Sequence, residues 1–217
     1  VPYALSSAAA LFWSVIIDLM ITTSAGNCEQ CTPCTLFLRY PSVAEVLNDH
    51  TERLTLHVLS TNQSHQRIST GLSTSLVILS LCSQLAPPTS IGDPVDLHQQ
   101  LCGGLIKLCH ALLSSPQMLF RLLAAKTLAK LTHPNELVRV VEKILLRIES
   151  SSLPSKMLSM NTIHGLLLQL THLKILHGNV LWGTDELNAK NILRKEAAAN
   201  SRIMNCACTA QLMSSLL

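Results

Sequence analysis

The chain has 217 residues, 48% hydrophobic but only 13% charged and 3% aromatic. That is too apolar for a disordered chain and too poor in β-formers for a β protein, which leaves a leucine-rich helical stack. Sixteen Lys and Arg against thirteen Asp and Glu give a net charge of +3, well short of the concentrated charge of a self-sufficient nucleic-acid binder.

A start at Val1 rather than Met leads us to expect a piece of a longer chain. Ala4 to Ile21 is apolar enough to raise the question of a membrane span. Asp18 lies inside that run, Ser6, Ser7 and Ser14 dilute it, and no Lys or Arg precedes it. A buried helix is therefore expected, with no stable membrane insertion and no secretory signal. Asn62-Gln-Ser64 is a formal glycosylation acceptor, expected to go unused without such a signal. Gly26 to Pro33 reads as a loop, and Pro41 opens a further helical segment. Ala86-Pro-Pro-Thr-Ser-Ile-Gly-Asp-Pro94 reads as a proline-rich connector.

Beyond the connector, Asp93-Pro94, Ser115-Pro116 and His133-Pro134 each place a proline where a helix can begin without losing a hydrogen bond. Apolar residues then recur at three- and four-residue steps: Leu97, Leu101, Leu105, Leu108 and Leu112; Phe120, Ala124, Leu128 and Leu131; Leu137, Val141, Ile144, Leu145 and Ile148. Pro94 and Pro134 stand about forty residues apart and enclose a helix pair, the period of HEAT or armadillo repeats. The expected fold is all-α, an armadillo- or HEAT-like α-solenoid of stacked antiparallel helix pairs. Its expected parts are an N-terminal helical block at 1–85, the connector at 86–95, and HEAT-like repeats at 96–217. Ser150 to Ser155 is a shorter break, after which Ile163, Leu166, Leu167 and Leu170 make one buried helix face.

The chemistry-bearing motifs are mostly missing. Gly103-Gly104 lies in a helical pattern with no strand before it, so it is neither a phosphate cradle nor a methyl-donor loop. No HExxH, nucleophile elbow or telling carboxylate pair is present. Catalytic, cofactor-binding and metal sites are therefore expected to be absent. Cys28, Cys31 and Cys34 have the spacing of half a zinc site, but no second half follows. Cys82, Cys102 and Cys109 sit in apolar runs and read as buried hydrophobes in a reducing compartment, the cytosol by default. His50, His57, His98, His110 and His172 read as hydrogen-bonded structural residues.

Two features invite a functional reading. Arg139, Lys143 and Arg147 fall at i, i+4 and i+8 on one helix face, and Lys126 and Lys130 make a shorter row on the preceding helix. Such rows could touch RNA phosphates or a partner; the plainer reading is a solvated face balanced by Glu136, Glu142 and Glu149. In Asn161-x-x-His164-Gly165, a glycine near a helix start implies close packing against a neighbour. There Asn161 is expected to cap the helix and His164 to bond a backbone carbonyl of the next repeat.

Several segments resemble the thyroid adenoma-associated protein (THADA) family. They are Ser7-Ala-Ala-Ala-Leu-Phe12, Thr35-Leu-Phe-Leu-Arg-Tyr-Pro41, the Ala124-Ala125 helix from Met118 to Leu131, and Asn161-Thr-Ile-His-Gly-Leu-Leu-Leu-Gln169. They occur in family order, and the last is the most specific. The resemblance is to the family's defining central domain. Its motif positions here are Arg39, Tyr40, Pro41, Arg121, Ala124, Ala125, Asn161, His164, Gly165 and Gln169, with structural roles expected. What the resemblance implies is a non-catalytic subunit, as in fungal relatives, serving an FtsJ-type methyltransferase that acts on the ribose 2′-hydroxyl of a tRNA anticodon-loop nucleotide. The partners implied are that enzyme and tRNA, with the methyl donor held by the enzyme and no cofactor on this chain. The alternative is a general protein-interaction solenoid without RNA contact, docking for instance on a calcium pump or other membrane protein.

Overall fold

The computed structural model describes residues 31–41, 45, 48, 49, 51, 52, 55, 68–88, 95–150, 158–181, 186–199 and 206–217. The readings of Ala4 to Ile21, Cys28, His50, His57 and Asn62-Gln-Ser64 lie outside these residues, as does the Ser7 to Phe12 landmark. Among the described residues every regular element is a helix and no strand occurs. The chain divides into two compact units, Val1–Leu112 and Leu113–Leu217.

The first unit contains α1 (Pro33–Arg39), α2 (Ile68–Cys82) and α3 (Val95–Leu112). Thr32 caps α1, its Oγ1 accepting from the Thr35 N–H at 3.2 Å, and Pro33 occupies the first turn, where an N–H would go unused. Cys34, Leu36 and Phe37 are buried as α1 packs on α3. The Ala86 N–H donates to the Cys31 carbonyl at 3.0 Å, tying the exit of α2 to the entry of α1. In α3, a Cβ on Gly104 would stand 3.0 Å from Thr51 Oγ1 and 3.2 Å from Asn48 Oδ1. Of the two adjacent glycines, Gly104 is thus a close-packing position inside a helix, whereas a Cβ on Gly103 would meet nothing within 4 Å.

The second unit contains α4 (Met118–Leu131), a 3₁₀ turn (Pro134–Glu136), α5 (Leu137–Ser150), α6 (Met160–Leu181), α7 (Glu186–Ala199) and α8 (Ala207–Leu216). Its centre is α6, which packs against α4, α5 and α8. Every residue from Thr162 to Leu170 is buried, as expected of a helix apolar around its whole circumference. The helix bends at His177, where φ −125° and ψ 17° leave the helical region one residue before Gly178. Against α6, α4 buries Phe120, Ala124, Ala125, Leu128 and Leu131. The small pair Ala124-Ala125 is fully buried, so two backbones approach there without a side chain between them. By contrast α5 has one buried stripe, Leu137, Ile144, Leu145 and Ile148, and an opposite face in solvent. The proline-marked starts of α3 and α5 agree with the sequence pattern, whereas α7 and α8 carry no such mark.

Among the described residues no helix is long and apolar enough to cross a membrane.

Candidate functional site

The motif residues of the second unit converge on the Arg121 guanidinium. Arg121 lies on α4 and is only 7% exposed. Its Nε donates to His164 Nδ1 at 3.2 Å, and its Nη1 donates to the carbonyls of Ser115 and Pro116 at 2.6 and 3.0 Å and to Asn161 Oδ1 at 3.1 Å. A buried cation needs such a set of acceptors to offset the loss of its hydration. Burial pulls the Arg121 guanidinium below its ordinary value, and negative charge on Cys208 and Cys206 acts in the opposite direction. Burial, and then the Arg121 charge, hold His164 below the usual histidine range. A neutral ring is what the geometry requires, since Nδ1 must present a lone pair to Arg121.

These bonds revise two roles expected from sequence. Asn161 does not cap α6. Ser159 does: its Oγ accepts from the Thr162 N–H at 3.1 Å and its carbonyl from the Ile163 N–H at 3.1 Å. Asn161 turns instead to Arg121 across 40 residues of sequence. The bond shown for His164 is likewise not to a carbonyl: its Nδ1 accepts from the Arg121 Nε–H. Gly165 packs as closely as its sequence position suggested: a Cβ there would run into the Leu113 carbonyl. Thr162 Oγ1 completes the seam, donating to Ser114 Oγ at 3.1 Å. Ser114 and Ser159 were not singled out by the sequence, and Ser115-Pro116 was read only as a helix start. Gln169, 1% exposed, keeps its Oε1 buried without a hydrogen-bond partner among the described residues.

In the first unit, Arg39 ends α1, Tyr40 caps it with its N–H on the Leu36 carbonyl at 3.0 Å, and Pro41 follows; all three are exposed. Cys31 and Cys34 are buried, with Cys34 Sγ 3.6 Å and Cys102 Sγ 3.9 Å from His98 Nδ1. Among the described residues no group of three or more His, Cys, Asp or Glu could hold a metal ion.

The basic residues occupy two separate places. Arg139, Lys143 and Arg147 line the solvent face of α5, beside the exposed side chains of Val138 and Leu146. Glu136 pairs with Arg139 at 3.3 Å, but Glu149 is drawn away to Lys195 of α7 at 3.1 Å. On α4, Lys126 is exposed and Lys130 half-buried. Burial and then the charge of Lys126 hold Lys130 below the usual lysine range. The structure adds His172 and His177 of α6 to this cluster. Both are held low, chiefly by burial, with Lys126 opposing protonation of His172 and Lys130 that of His177.

Helix pairs packed through alanine and glycine seams, with polar landmarks spent on joining helices, define a helical-repeat protein. Residues 7–173 match the family described as Trm732, C-terminal TPR repeats, and the chain belongs to that family. It is a family of non-catalytic tRNA methyltransferase subunits, and the match agrees with the sequence resemblance to the THADA family. TPR repeats, like the HEAT or armadillo repeats suggested by the proline spacing, are stacked antiparallel helix pairs, so the all-α solenoid class stands. No curated protein and no solved structure matches the chain.

Proposed function

We propose that this chain belongs to a non-catalytic scaffold subunit for ribose 2′-O-methylation in the tRNA anticodon loop, acting in the cytosol with an FtsJ-type methyltransferase that binds the methyl donor. The observation that carries this reading is the family match over residues 7–173. Supporting it, Arg121, Asn161, His164 and Gly165 are spent on internal bonds and packing and so serve the scaffold. A rigid scaffold contributes by orientation, which can lower a barrier by several kcal/mol when two reactants are held in register. In this reading Arg139, Lys143 and Arg147, with Lys126 and Lys130, supply phosphate contacts.

The test is reconstitution. Full-length protein and an FtsJ-type enzyme are purified, and ribose methylation of tRNA is measured with and without the scaffold. Methylation that depends on the scaffold is expected; equal methylation in its absence rejects the proposal.

The exposed Val138 and Leu146, interleaved with the basic row, favour a second reading, a protein-docking surface without RNA contact, for instance toward a calcium pump or other membrane protein. Pull-down after ribonuclease treatment separates the two, because a purely protein-bound partner survives the loss of RNA.

A further inference from the structure

Five of the described cysteines, Cys31, Cys34, Cys82, Cys102 and Cys109, are buried. Burial pushes the Cys82 thiol up to about 12 and Cys109 well above its ordinary value, which leaves such thiols inert toward oxidants. Cys206 and Cys208 are the more accessible thiols among the described residues. Cys208 is exposed and Cys206 partly so, and their sulfurs are 3.1 Å apart. Cys206 is the N-cap of α8, with its backbone carbonyl fixed by the Thr209 hydroxyl at 2.9 Å. The pair lies outside the family match at 7–173, and it supplies none of the hydrogen bonds that hold Arg121.

A thiol pair usually serves either a metal or a disulfide, and among the described residues no third ligand joins this pair to make a metal site. Two thiolates on tetrahedral zinc, each about 2.3 Å from the metal, stand about 3.8 Å apart. At 3.1 Å the two sulfurs here are in direct contact, within a side-chain rotation of a covalent sulfur–sulfur bond. We propose that Cys206 and Cys208 are a reversible dithiol–disulfide modification site whose co-substrate is a low-molecular-mass disulfide.

The order of attack follows from the surroundings. A hydrogen bond from Cys208, then the Thr209 N–H and hydroxyl, bring Cys206 down to about 7, while Cys208 is raised, chiefly by its bond to Cys206. Cys206 is therefore the attacking thiolate. It bonds to one sulfur of the small disulfide, whose own S–S bond breaks, and the departing thiolate takes up a proton. Cys208 then loses its proton and attacks the Cys206 sulfur, expelling the second small thiol. One disulfide is consumed and one formed, and two electrons pass from the protein to the small molecule. At pH 7.4 the larger thiolate fraction outweighs the lower intrinsic nucleophilicity, so Cys206 reacts about twofold faster than an ordinary thiol.

The experiment exposes the reduced, folded full chain to oxidised glutathione, alkylates the remaining thiols and weighs the protein and its C-terminal peptide. The expected product is lighter by two hydrogens, with Cys206 and Cys208 both protected from alkylation and both released by reductant. With Cys208→Ser, Cys206 should retain one glutathione as a stable adduct; with Cys206→Ser, the remaining thiol should react about twofold more slowly. Both substitutions fall on the surface, and the unsubstituted protein already gives the main result. Full alkylation of both thiols after oxidant treatment overturns the proposal, as does glutathione on both sulfurs at once. Protection by added zinc, where the oxidant fails to join the two sulfurs, overturns it too and assigns the pair to a metal.

Discussion

Arg121 shows why a family landmark can be polar, buried and still structural. Its four hydrogen bonds go to neutral acceptors, two of them backbone carbonyls in the turn before α4 and two of them side chains of α6. The arrangement requires neutral His164, and this fixes the sign of a pH effect. A histidine held below its ordinary value in the folded state binds fewer protons there than when unfolded, so stability rises with pH through that window. The contribution is fully present above about 6.5 and is lost as pH falls through the folded value. His172 and His177 are shifted in the same direction and add to the slope. Chemical denaturation between pH 7.5 and 5 should show a falling midpoint, less steep in His164→Gln; identical slopes in the two proteins would remove His164 from the account. Sequence alone exposed Asn161 and His164 as unusual residues but assigned them local partners. The real partner is some forty residues away, and no periodicity encodes it.

Among the elements, α6 carries the second unit, and Gly165 is its tightest point. By helix propensity alone, Gly165→Ala should stabilise by about 1 kcal/mol. The added methyl would meet the Leu113 backbone, and backbone cannot rotate aside as a side-chain tip can. Overpacking of this kind costs about 1–3 kcal/mol, so a net loss of stability is expected. A raised denaturation midpoint in Gly165→Ala would show that the α6 seam is loose. The helices themselves were readable where proline and leucine spacing coincided, as in α3 and α5. The ends of the chain's later helices were not. The N-cap of α8 is Cys206; cysteine is not among the residues that ordinarily cap a helix, and α7 follows no proline, so neither start leaves a conventional signature. The length of α6 was also hidden, because a helix buried all round has no polar face to mark its phase.

On the scale of the whole molecule, the rows of positive charge are what the scaffold can offer to a polyanion. They ride on α4 and α5, both of which pack on α6. Arg139 is 63% exposed but shares its charge with Glu136, a pairing of small worth that phosphate can displace. If the α5 row touches RNA, changing Arg139, Lys143 and Arg147 together to Gln should lower the log–log salt slope of tRNA binding by about 2, or about 0.7 for each single-strand phosphate no longer neutralised. An unchanged slope would dismiss the row and leave the exposed Val138 and Leu146 as the better guide to a partner. The nature of this surface was partly legible, since i, i+4 spacing fixes which residues share a helix face. Its acidic balance was not, because Glu149 answers to Lys195 on another helix. The Arg121 knot also bears on how the second unit assembles. The guanidinium can leave water only when the turn at Ser115-Pro116 and the head of α6 are both in place. A half-docked intermediate would strand a cation in an apolar seam. Formation of α4 against α6 is therefore all-or-none, and slow amide exchange should begin and end together in these two helices.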